Sequence, residues 1–187
     1  ESGIIYVASI KACSAFVLVP GIDRELALAG PSGTGQSGIT IVDWNHQPVP
    51  GGLQGPGGLP ILKPPYGRIT AIDMNTGEHL WWIPNGETPE RVANHPLLAG
   101  LDLPNTGQRA HATALVTRSL LIYGEGRGGL PRFHAVDKRT GIELGIVDLP
   151  AAAQTAPMTF LHEGRQYLVT AVAGPDHAAA LVALRLP

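Results

Sequence analysis

The residues best suited to chemistry sit in two short glycine-rich stretches. Arg109 and His111 belong to Gly107-Gln108-Arg109-Ala110-His111, and Glu125 and Arg127 to Gly124-Glu125-Gly126-Arg127-Gly128-Gly129. A carboxylate, an imidazole and two guanidinium groups on such backbone could touch a substrate or cofactor. The competing reading is a set of solvated loop charges whose glycines serve tight turns. The second stretch also fits Gly-x-Gly-x-x-Gly, as does Gly33-x-Gly35-x-x-Gly38, but neither opens a plausible helix, so a dinucleotide site is rejected. Residues 30–37 hold no lysine where a phosphate-binding loop needs one. The seven histidines, at 46, 79, 95, 111, 134, 162 and 177, never form the helical i,i+4 pair of a zinc protease. His79 and His134 read as packed or exposed strand residues. No Gly-x-Ser-x-Gly elbow anchors a serine hydrolase. The single Cys13 excludes an internal disulfide and a cysteine-based metal site, and its neighbours Ala12, Ser14, Ala15 and Phe16 predict a buried, unactivated thiol.

The elements that must carry these residues are short. The chain has 187 residues, enough for one domain with a sizeable core. Its net charge of −2 and 15% charged residues leave no electrostatic footprint for nucleic acid or an anionic membrane. With 24 glycines and 17 prolines, roughly twice the usual share, the composition predicts many turns and many short strands. The longest apolar runs are strand-sized, far below the ~18 residues of a membrane span. Residue 1 is a Glu in a turn that opens straight into an apolar run, with no charged-then-apolar leader, as expected of a fragment or processed product.

Apolar and β-branched runs bounded by Gly, Pro, Asn and Asp predict strands at residues 3–10, 15–19, 68–73, 79–83, 112–116, 120–124, 132–137, 143–149, 158–161, 167–173 and 180–186. Helical periodicity is weak; residues 88–98 could hold a turn or two, limited by Pro89 and Pro96. The fold class is therefore all-β. A Gly/Pro-rich insertion at 21–65 separates the second strand from the third, and its apolar stretch at 39–44 suggests an ordered insertion with a short docked strand. Trp44 would either anchor that insertion or cover a binding mouth.

A self-match at an offset of 64 defines the architecture. Residues 68–81 align with 132–145, and both read Ala-x-Asp-x-x-Thr-Gly: Ala71, Asp73, Thr76 and Gly77 in the first copy, Ala135, Asp137, Thr140 and Gly141 in the second. The motif describes a strand ending at Asp, a tight turn whose Asp and Thr bond local amides, a glycine at positive φ, and a returning strand. Repeated antiparallel hairpins of this kind fit a β-propeller.

Residues 71–81 resemble the tryptophan-docking motif of the eight-bladed quinoprotein dehydrogenases, in which a Trp, here Trp81, packs between neighbouring blades; the second copy has Gly145 at that place. The context is more specific. Gly58-Leu59-Pro60 leading through Lys63-Pro64-Pro65-Tyr66-Gly67 into the first repeat is similar to a late blade entrance of the glucose-dehydrogenase-like branch, which uses pyrroloquinoline quinone (PQQ). Leu115-Val116-Thr117, Leu120-Leu121-Ile122-Tyr123-Gly124-Glu125-Gly126, Pro157-Met158-Thr159-Phe160 and Leu181-Val182-Ala183-Leu184 resemble the same branch in the same order. The resemblance covers most of residues 1–20 and 58–187, and the insertion at 21–57 matches poorly.

It implies the C-terminal portion of such a propeller, about two and a half blades. Residues 1–20 would hold the inner pair of one blade, completed by 66–84; residues 112–149 would form a second blade and 155–186 three strands of a last one. The insertion, the 85–111 crossover, the 125–131 loop and the 174–179 loop would then ring the cofactor-bearing face, with Arg109, His111, Glu125 and Arg127 as mouth candidates. The resemblance further implies oxidation of a sugar or alcohol with PQQ and Ca²⁺, a membrane quinone or cytochrome as acceptor, and a periplasmic location. The Ca²⁺ ligands and the catalytic base of the family lie on earlier blades, so no catalytic or metal residue is assigned here. The rival readings are a non-catalytic propeller scaffold, like outer-membrane assembly lipoproteins with similar repeats, and a decayed paralogue.

Overall fold

The computed structural model describes residues 3–20, 44–49 and 53–185. The chain divides into two compact units, residues 1–12 with 63–187, and Cys13–Leu62. In the first unit, β1 (Ile4–Ile10), β4 (Gly67–Asp73) and β5 (His79–Pro84) form one antiparallel sheet. A crossover carrying the short helix α1 (Glu90–Ala93) leads to a four-stranded meander of β6 (His111–Val116), β7 (Leu120–Arg127), β8 (Arg132–Asp137) and β9 (Glu143–Asp148). A third sheet follows, of β10 (Met158–His162), β11 (Arg165–Gly174) and β12 (His177–Arg185). The second unit holds β2 (Phe16–Pro20) paired with β3 (Trp44–Pro48).

Sequential antiparallel sheets of three, four and three strands match the expected two and a half blades of an all-β partial propeller. The strands follow the predicted runs to within a few residues, and α1 with a 3₁₀ turn at Pro96–Leu98 fills the region where a turn or two of helix was expected. Two expectations are corrected. The strand at 16–20 does not join β1 in an inner pair. β1 pairs along its whole length with β4, from Ile4 opposite Asp73 to Ile10 opposite Gly67, and the Lys11 amide extends the ladder to the Tyr66 carbonyl. β2 instead finds its backbone partner in β3. Cys13, read as buried from its apolar neighbours, is exposed, because it lies in the strandless stretch between β1 and β2. Residues 39–43 of the expected docked strand lie outside the described residues, and the strand described there begins at Trp44.

Both repeat turns form as the motif demands. Asp73 Oδ1 accepts from the Asn75 amide and Thr76 Oγ1 from the Glu78 amide, while Asp137 Oδ1 accepts from the Arg139 and Thr140 amides and Thr140 Oγ1 from that of Ile142. Gly141, at φ 74°, does more than turn the chain. A Cβ there would lie 2.9 Å from the Trp81 ring, so only glycine lets the β8–β9 turn close on that side chain. Trp81 Nε1 donates to the Lys138 carbonyl at 3.2 Å, and Tyr6 Oη donates to the same oxygen at 2.9 Å. The first sheet thus grips the turn of the next.

The core lies between sheets. Ile69, Leu121, Tyr123 and Val136 are buried together, with Tyr6, Trp81 and Ile83 packed against them. Phe133, Leu149, Ala151, Ala153 and Val172 join the four-stranded sheet to the last one. No helix among the described residues is long and apolar enough to cross a membrane.

Candidate functional site

Along β7 the pleat sends Leu121, Tyr123 and Glu125 to the same side. The first two enter the inter-sheet core; the third brings a carboxylate into full burial, at 0% exposure. Such a group must be hydrogen-bonded to be tolerated. Oε2 accepts from the Leu130 amide at 2.8 Å and from Gln108 Nε2 at 3.0 Å. Oε1 lies 3.1 Å from His134 Nε2, and the other ring nitrogen, Nδ1, lies 2.7 Å from Glu143 Oε2. Both nitrogens of His134 therefore face carboxylate oxygens, an arrangement that only the doubly protonated ring satisfies with two donors. The imidazole stacks on Tyr123, its cross-strand partner, at 4.7 Å between centroids.

Charge follows geometry. Burial alone would push the Glu125 carboxyl up, but the bonds from His134, the Leu130 amide and Gln108, with the His134 charge, outweigh it and hold the group below the ordinary carboxylate range. For His134, burial opposes protonation, and the bonds to Glu125 and Glu143 and their charges overcome it, raising the imidazole above its ordinary value. The Tyr123 phenol is pushed up, first by burial and then by the two carboxylates.

Above this cluster an open cleft of about 690 Å³ lies between the second and third sheets. Three segments wall it: Arg127 at the end of β7 with Gly128, Gly129 and Pro131 beyond it, Pro150 to Ala152 with Gln154 in the β9–β10 connection, and Ala173 to His177 at the β11–β12 turn. Gln154 braces the β9–β10 connection, its side-chain amide donating to the carbonyls of Ala152 and Ala173. The lining is mostly small and apolar; Arg127, Gln154, Asp176 and His177 supply its polar groups.

The four mouth candidates separate into two kinds. Arg109, His111 and Arg127 are exposed, His111 sits opposite Arg127 in the β6–β7 register, and Arg127 lines the cleft. Glu125 is buried beneath them and does not line it. The side chain of Trp44 lies outside the described residues. Sequence reasoning missed Gln108, His134 and Glu143. A signal was available, since His134 occupies in the second repeat the place that Thr70 holds in the first, and Glu143 the place of His79. Both Thr70 and His134 are buried polar residues. Among the described residues no three His, Cys, Asp or Glu side chains converge as a metal site.

Comparison with known proteins follows the same line. The family model "PQQ: Glucose/ethanol/alcohol dehydrogenase, beta-propeller domain" matches residues 1–168. The chain is 30% identical over 135 residues to a quinate/shikimate dehydrogenase (quinone) of Acinetobacter baylyi, covering 69% of this chain and 16% of that protein. It is 33% identical over 160 residues to a glycerol dehydrogenase large subunit of Gluconobacter thailandicus, covering 74% and 21%. A quinoprotein glucose dehydrogenase of Escherichia coli is 29% identical over 119 residues, covering 64% and 15%. Among solved structures, a europium-containing methanol dehydrogenase superposes over 91% of this chain and 22% of its own, with a TM-score of 0.52 at 18% identity, a likeness of fold. The chain spans about a sixth to a fifth of the length of these curated relatives.

Proposed function

Because this chain belongs to the glucose/ethanol/alcohol dehydrogenase β-propeller family, we propose that it forms a late part of a PQQ-dependent dehydrogenase that oxidises a sugar or alcohol. The observation that carries the reading is the convergence of three segments from adjacent sheets on one open cleft. Matched relatives named for quinate or shikimate, glycerol and glucose share a polyhydroxy substrate, which favours a hydroxyl-rich molecule here. Two matched relatives carry "quinone" in their names, and a membrane quinone is accordingly preferred over a cytochrome as acceptor. A periplasmic location completes the reading.

The quinone cofactor, when bound, supplies the electron-accepting chemistry. This chain's residues would act at the rim of that site. Arg127 presents a guanidinium suited to a carboxylate or to hydroxyl oxygens, and Gly128, Gly129, Ala151 and Ala152 leave room for a ring edge to approach. Glu125 is not the base: both of its oxygens are engaged and it is held charged away from the cleft. The described residues do not fit a Ca²⁺ cage, and no step is routed through that ion.

The test is dye reduction by the full-length protein after addition of PQQ and Ca²⁺, with glucose, glycerol, quinate and ethanol as substrates. Turnover of at least one is expected, whereas the isolated 187-residue chain is expected to be inactive. No turnover and no quinone binding by the full-length protein would overturn the dehydrogenase reading in favour of a scaffold.

A further inference from the structure

We propose that Glu125, secured by His134 and Glu143, is a positioning residue that clamps the Gly126–Leu130 loop against the 85–110 crossover and so presents Arg127 to the ligand in the cleft. The first argument is convergence. A single oxygen, Oε2, takes the amide of Leu130 from the loop and the side chain of Gln108 from the crossover. Asn85 adds a parallel tie, its Nδ2 donating to the carbonyls of Ala110 and Glu125. The chain passes from Glu125 through the end of β7 at Arg127 and returns at Leu130 to the carboxylate it started from, so the segment containing Arg127 is closed like a ring.

The second argument is space. A Cβ on Gly86 would lie 2.6 Å from Glu125 Oε2, and one on Gly129 would lie 2.5 Å from Glu125 Cβ and 2.8 Å from Oε2. Crossover and loop approach the carboxylate as closely as backbone can. The third is placement. Buried ionic groups are a poor route to stability, since apolar replacements of similar volume are often as stable or more so. Here the charged cluster lies directly under a cleft wall and reaches through His134 to Glu143, whose side chain is 47% exposed on β9. A device that fixes a loop's geometry accounts for that position; a packing role does not.

The ligand arm of the test rests on the dehydrogenase reading, whereas the exchange arm does not. In the full-length protein, Glu125→Ala is expected to speed amide exchange in peptides covering 126–131 roughly ten- to a hundredfold, the loss expected for charge-assisted bonds, with β8 and β9 still protected. Glu125→Gln, which keeps an acceptor, should restore part of the protection. Glu143→Gln, remote from the loop, should raise exchange there about threefold through His134. In steady-state kinetics Glu125→Ala should raise KM about tenfold with kcat nearly unchanged. If Glu125→Ala does not fold, the Gln variants carry the test. Unchanged exchange at 126–131 in the folded variants overturns the clamp. A loosened loop with unchanged KM in an active protein overturns its role in presenting Arg127. A loosened loop in a protein that turns over nothing leaves the clamp standing and sinks the dehydrogenase reading alone.

Discussion

Removing the Trp81 side chain should loosen the grip of the first sheet on the second by about 2–4 kcal/mol. A fully buried Trp→Ala change costs about 3–5 kcal/mol, and Trp81 is only half-buried, which lowers the packing share. Its indole also donates to the Lys138 carbonyl and packs near Tyr6 at 5.7 Å, contributions of about 1 kcal/mol each. Trp81→Phe separates the two effects. Tyr6 Oη still donates to the Lys138 carbonyl, so that oxygen is not orphaned, and the loss should fall to about 1 kcal/mol. The internal control is Trp82, on the opposite face of the same strand and 49% exposed, where Ala should cost under about 1 kcal/mol. The assay is denaturant unfolding of the full-length protein followed by tryptophan fluorescence and circular dichroism, read as midpoint and as unfolding rate. Equal losses for Trp81→Ala and Trp82→Ala would refute the inference that the indole holds adjacent sheets together.

Stability linked to the buried cluster should depend on pH in a defined direction. His134 is raised above 6.5, so its contribution is complete below that value and fades as pH climbs through the raised folded value; Glu125 is lowered from 4.5, so its contribution is complete above 4.5 and is lost as pH falls through the depressed one. The gap in thermal midpoint between wild type and His134→Gln should be widest between about pH 4.5 and 6.5 and should narrow in alkali; a gap constant from pH 5 to 10 would contradict the charged-imidazole assignment. Cys13, exposed between β1 and β2, should react stoichiometrically with a maleimide without denaturant, mapped by peptide mass spectrometry; protection from the reagent would contradict its exposure.

Most of the strands were legible because their cues are local. Asp-x-x-Thr-Gly dictates its own turn through bonds two or three residues long, and apolar runs between such turns have few options other than pairing with their neighbours. Partner choice across a long insertion is a different matter. Nothing in residues 16–20 says whether they pair backward with β1 or forward across the insertion; β1 takes β4 as its neighbour and β2 takes β3. Cys13 misled for the same reason: apolar neighbours predict burial only if the segment belongs to a packed strand, and this one connects two.

The buried cluster marks a further boundary of what sequence shows. Its members come from the crossover and from β7, β8 and β9, and only the fold brings Gln108, Glu125, His134 and Glu143 into contact. Yet their positions are not arbitrary. The two hairpins share backbone and turn, so the 64-residue offset compares side chains in equivalent places. Thr70 becomes His134, His79 becomes Glu143 and Trp81 becomes Gly145, while Ala71, Asp73, Thr76 and Gly77 recur as Ala135, Asp137, Thr140 and Gly141. The Asp, Thr and Gly that make the turn are kept, while Thr70, His79 and Trp81 on the strands are changed. In the first hairpin the variable positions build an inter-sheet grip through Trp81; in the second they build a charged anchor beneath the cleft. Differences between repeat copies at buried polar positions therefore locate the specialised part of this fold, with Thr70 against His134 the clearest case.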